Sequence, residues 1–107
     1  MAESMGRVTI AQEVLLTITR LTTLGVPGVS RLGARPGLRR AGDGVHVDVT
    51  DNQVEVEVYV VVGPDVNMRD VGKAIQSEIA RSMKEIVGMD VANVNVHIQD
   101  VEAPAGK

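Results

Sequence analysis

Cysteine, phenylalanine and tryptophan are all absent from these 107 residues, and a single tyrosine, Tyr59, stands in for the whole Phe, Tyr and Trp class. The lack of cysteine excludes disulfides, thiolate zinc sites and cysteine nucleophiles together, and fits a reducing compartment. The near-absence of aromatics leaves no platform on which nucleic-acid bases could stack. A formal net charge of −3 gives no overall attraction for phosphate backbones, so nucleic acid is not an expected partner. Nowhere do about 18 apolar residues run consecutively, the length a membrane-spanning helix needs. The opening MAESMGRVTI places Glu3 before any apolar run, unlike the basic-then-apolar pattern of a secretory signal.

What remains is a chain rich in valine, 44% hydrophobic overall, of a length suited to one domain with an aliphatic core. Residues 1–5 and 102–107 lack periodicity and are expected to be disordered tails around a single domain at 6–101. Val8 and Ile10 alternate with polar neighbours and suggest a short first strand. Val14, Ile18 and Leu21, with Leu15 beside them, then recur at helical spacing and predict a helix over 11–24, closed by Gly25 and Pro27. Thr17, Thr19, Thr22 and Thr23 are assigned to its mixed outer face. A short strand at 28–32 precedes a Gly-, Pro- and Arg-rich loop.

Val45, Val47 and Val49 alternate with His46, Asp48 and Thr50, and Val54 to Val62 alternate with Glu55, Glu57, Tyr59 and Val61. A two-residue turn at Asp51-Asn52 pairs Val49 with Val54 and Val47 with Val56, placing all these valines on one face. Gly63-Pro64 ends that strand. Asn67 with Asp70 starts a second helix over 67–87, carrying an apolar stripe of Val71, Ile75, Ile79, Met83 and Ile86, before Gly88 stops it. Met68, Met83 and Met89 are read as filler around it. Val94, Val96 and Ile98 form a last strand, able to run parallel to the strand ending at Val62. The expected fold is α+β, a two-layer sandwich with both helices on one face of a largely antiparallel, mixed sheet, in the order β-α-β-β-β-α-β.

The same register sets Asp48 opposite Glu55 and His46 opposite Glu57 on the outward face. Like charges across a sheet are destabilising by up to ~1 kcal/mol. A hard cation wants oxygens converging on one point, whereas a flat strand surface presents them side by side, so no metal or other cofactor is expected. His46 and His97 point to this face too, but two histidines without a third ligand or a water-excluding pocket make neither a zinc site nor an acid–base pair. Arg31, Arg35, Arg39 and Arg40 crowd into one glycine-bearing loop without matching a P-loop or dinucleotide fingerprint. Their guanidinium forks suit an acidic protein surface or a small anion. No serine lies in a nucleophile motif, and no catalytic residue is assigned. The working parts expected are therefore partner-binding surfaces: Asp48, Glu55, Glu57 and Tyr59 on the sheet, with Arg31, Arg35, Arg39 and Arg40 on the loop.

Three blocks, GRVTIAQEVLLTITRLTTLGVPGVSRLG, VEVEVYVVVG and VGKAIQSEIARSMKEIVGMDVANVNVHIQDV, resemble the alkaline shock or envelope stress response proteins of Gram-positive bacteria. The shared order is Gly6-x-Val-x-Ile10 before a helix, Gly28-Val29, a valine-alternating strand ending in Gly63, and Val-x-x-Val-Asn-Val at 91–96. Family members often carry an aromatic just before that glycine, where this chain has Val62. The resemblance implies a non-enzymatic, self-associating cytoplasmic protein that reaches the inner face of the membrane through a membrane-anchored protein of the same stress system. The alternative kept from the residues themselves is a regulatory domain sensing a small anion or phosphometabolite through the Arg-rich loop.

Overall fold

The computed structural model describes residues 5–36 and 44–102. Its elements are α1 (Gln12–Leu24), β1 (Val29–Leu32), β2 (Val45–Thr50), β3 (Gln53–Val62), α2 (Met68–Ser82), a π-helical turn over Met83–Val87, and β4 (Asp90–Val101). The α+β class and the two helices hold as expected. The first strand does not form: the residues ahead of α1 pair with no strand, and Val8 is 92% exposed. Alternation gives a segment the habit of a strand, but the ladder also needs a partner edge.

The β2–β3 hairpin has the expected register, with Val49 opposite Val54, Val47 opposite Val56 and Val45 opposite Val58. Asp51 and Asn52 both take positive φ, 50° and 64°, the left-handed pair that a two-residue hairpin turn requires and that Asp and Asn tolerate. β4 pairs with β3 in parallel along the other edge, from Gln53 opposite Asp90 to Val62 opposite Val101. β1 is antiparallel to β3 and occupies its far end, Leu32 opposite Val60, on the same edge as β2. Gly33 and Gly44 meet where β1 stops and β2 begins. The amide of Gly33 donates to Tyr59 O at 2.7 Å, and that of Tyr59 donates to Gly44 O at 2.8 Å.

Val47, Val54, Val56, Val58, Val60 and Val62 are wholly buried in one core with Ile75 and Ile79 of α2 and Met83 of the π turn. Asn67 caps that helix through Oδ1, which accepts from the Asp70 amide at 3.0 Å. Gly88 ends the π turn in the left-handed region, φ 73°. The π turn also corrects the expected stripe. Its extra residue per turn shifts the face presented to the sheet, so Ile86 is 64% exposed while Val87 packs at the core margin.

α1 departs further from expectation. Leu15, Thr19 and Thr23 are its buried residues, at i, i+4 and i+8, while Val14 and Leu21 face outward. Thr19 satisfies its hydroxyl by donating to Leu15 O at 2.8 Å, which lets a polar side chain sit in an aliphatic core. Thr22 contacts α2 through Ser82, Oγ1 to Oγ at 3.2 Å.

Candidate interaction surfaces

With the valines turned inward, alternation turns Asp48, Glu55, Glu57, Tyr59, Asn95 and His97 out onto the uncovered face of the sheet. Asp48 stands opposite Glu55 and His46 opposite Glu57, with Asn95 and His97 on β4 alongside Glu57 and Tyr59. A histidine nitrogen lies beside two of these carboxylates. His46 Nε2 is 3.0 Å from Asp48 Oδ2, and His97 Nε2 is 3.6 Å from Glu57 Oε1. Glu57 also accepts from the Tyr59 hydroxyl at 3.1 Å. Glu55, exposed, has no ion pair or hydrogen bond among the described residues.

The Tyr59 and His97 rings are stacked, 4.4 Å between centroids and 12° from parallel. Partial desolvation, the hydrogen bond to Glu57 and the charge of that carboxylate, in that order, raise the Tyr59 pKa above the usual value, and Arg35 opposes them. One side chain that sequence reasoning missed fixes the loop root. Gln99 on β4 accepts from the Ala34 amide at 3.0 Å and donates to Ala34 O at 2.6 Å, gripping both sides of one residue. No motif could have signalled a contact between positions 65 apart.

Of the four arginines, Arg31 lies 3.8 Å from Glu102, and Arg35 is near enough to Tyr59 for its charge to be felt. Arg39 and Arg40 lie outside the described residues. A hollow of about 570 Å³ opens beside the hairpin end, where Val8, Ile10, Leu15, Val49 and Met89 line it with Asp48 as its one ionisable side chain. Among the described residues no three His, Asp or Glu side chains are grouped to hold a metal ion. No helix among them is long and apolar enough to cross a membrane.

The remaining surface feature is apolar. Of the ten exposed large hydrophobic side chains among the described residues, six fall between positions 5 and 24: Met5, Val8, Ile10, Val14, Leu21 and Leu24. Leu21 is 67% exposed, Leu24 45% and Val14 44%, all on the side of α1 turned away from the sheet. Such a patch is uncommon on a surface that meets only water.

The model of the alkaline shock protein 23 family, described as having a cell envelope-related function, matches residues 1–103. A Bacillus subtilis protein printed as uncharacterized protein YqhY is 27% identical over 106 residues, covering 92% of this chain and 78% of its own length. A Streptococcus pyogenes relative, uncharacterized protein Spy1614, is 22% identical over 107 residues, covering 91% and 88%. Among solved structures, a zinc form of the MamM CTD superposes with a TM-score of 0.61 at 13% identity, covering 90% of this chain and 93% of that one. A copper form gives 0.62 at 13%, covering 86% and 100%. At that identity the likeness is one of fold.

Proposed function

Since the chain belongs to the alkaline shock protein 23 family, with its cell envelope-related function, we propose that it serves the envelope as a non-enzymatic, self-associating scaffold. In this reading it works on the cytoplasmic side and is held at the inner face of the membrane by a membrane-anchored partner of the same stress system. The observation that carries the reading is the uncovered apolar surface of α1 and the segment before it, where Val14, Leu21 and Leu24 stand exposed on a helix whose opposite face is already buried. Helices of this kind find a second protein surface.

The sheet face, with Asp48, Glu55, Glu57 and Tyr59, is the proposed contact for a basic partner, and Arg31, Arg35, Arg39 and Arg40 for an acidic one. Glu55 is central to it because no described residue pairs with its charge. Sedimentation over a concentration series and fractionation of cells test the function. Growth of the weight-average mass with concentration and recovery of a membrane-bound fraction are expected. A strict monomer that never reaches the membrane overturns the reading.

A further inference from the structure

We propose that two copies of this chain pair through α1, the helices antiparallel about a two-fold axis near Leu16 and Thr17, with Glu13 of each copy facing Arg20 of the other. The proposal rests on the self-association reading and specifies its surface.

Val14, Thr17, Leu21 and Leu24 follow one another at intervals of three, four and three residues, and all four are exposed. That spacing draws a single line along a helix, the side that meets another helix in a seam. The face diametrically opposed, Leu15, Thr19 and Thr23, is the one α1 buries in its own domain. The helix therefore has two faces to cover, and its own fold accounts for one of them.

Charge selects the occupant and its direction. Glu13 and Arg20 flank the same side of the row, seven residues apart, and reach each other only loosely, at 3.9 Å with side-chain exposures of 73% and 33%. A pair so exposed contributes little within one chain. A parallel partner sets Glu13 level with Glu13 and Arg20 level with Arg20, and pairs no opposite charges. An antiparallel partner centred between them sets acid against base twice over, and the same patch serves both copies, as a two-fold contact requires. Leu21 then lies level with the first residue of the partner helix and Leu24 passes beyond it, toward its exposed Ile10. An anionic bilayer fits less well, because Glu13 and the net charge of −3 oppose it. A helix of 13 residues is about 20 Å long, so the contact lies at the small, reversible end of protein interfaces.

Charge reversal tests the geometry by sedimentation equilibrium. Glu13→Arg alone and Arg20→Glu alone each weaken dimerisation by roughly tenfold. An equimolar mixture of the two variants restores it, since every cross-pair is then opposite in sign. Repair of an interaction within one chain cannot produce that rescue. As the chain has no cysteine, Leu24→Cys reports direction: a parallel pair oxidises to a disulfide-linked dimer, and the antiparallel pair does not. Circular dichroism confirms that each variant folds. If the wild-type chain self-associates but ignores both reversals, or Leu24→Cys cross-links, the α1 seam is wrong while the scaffold reading stands. If the wild-type chain is monomeric throughout, both fall. Binding of the monomer to anionic vesicles, lost in Leu21→Asp, assigns the patch to lipid instead and overturns the proposal.

Discussion

Tyr59 and His97 lie face to face on neighbouring parallel strands, 4.4 Å between ring centroids, and both reach toward Glu57, which accepts a hydrogen bond from the phenol. Because desolvation and Glu57 both disfavour the phenolate, the folded chain holds Tyr59 protonated past its usual value of about 10. A pKa raised by folding favours the native state most fully below the unfolded value. That contribution is lost as pH climbs through the raised value. With one tyrosine and no tryptophan, phenolate absorbance reads this group alone. The midpoint is expected above 10, lower in Glu57→Gln and higher in Arg35→Gln, where the opposing cation is removed.

Thr23 is fully buried and its Oγ1 has no hydrogen-bond partner among the described residues, whereas the neighbouring turn's Thr19 donates to Leu15 O. Replacing an unsatisfied buried hydroxyl by a methyl removes a desolvation cost at nearly constant volume. Thr23→Val is expected to stabilise by about 1 kcal/mol, seen in urea unfolding as a higher midpoint at unchanged slope. Thr19→Val, which sacrifices a made bond, is expected to gain nothing or to lose up to ~1 kcal/mol.

Two glycines should respond in opposite directions to alanine. A Cβ on Gly44 would stand 2.7 Å from Tyr59 O and 2.8 Å from Gly33 O, backbone atoms that cannot swing aside. Gly44→Ala is expected to cost on the order of 1–3 kcal/mol. Gly72 lies within α2 with nothing within 4 Å of the same position. Gly72→Ala is expected to raise thermal stability, by ~0.5–1 kcal/mol, through the helix propensity it restores.

Gln99 is the only described side chain seen to hold both polar groups of Ala34, and Gly33 leaves it room to do so. Gln99→Ala should speed amide exchange at Ala34 while leaving Val56, in the middle of β3, unaffected. Equal protection at Ala34 in both proteins would mean that the clamp does not hold the loop root.

The hairpin was legible because three signals agree there: valine alternation on both arms, a two-residue spacer, and Asp-Asn, which accepts positive φ. Knowing that register was enough to place Asp48, Glu55, Glu57 and Tyr59 on one open surface. α1 was not legible in the same way. Val14, Ile18 and Leu21 form a more apolar stripe than Leu15, Thr19 and Thr23, and only packing against the valine sheet chooses the threonine side. The expected strand at Val8 and Ile10 does not form, because alternation by itself does not bring a segment into a ladder. These two misreadings fall on the same quarter of the chain, where residues that look like core are left outside it. Local pattern cannot distinguish apolar residues a chain buries in itself from those it keeps for a partner.

All three pairings of the sheet run through β3: β1 and β2 share one of its edges and β4 takes the other. Among the described residues no other two strands touch through a ladder, so the ten residues from Gln53 to Val62 join the whole sheet. Losing them would leave three separate ribbons with nothing to align to. Partial opening of the sheet can therefore peel away β1, β2 or β4 singly, but cannot release β3 and keep a sheet. Its central amides should open to solvent only when the whole molecule does, and they would serve as a built-in gauge of global stability.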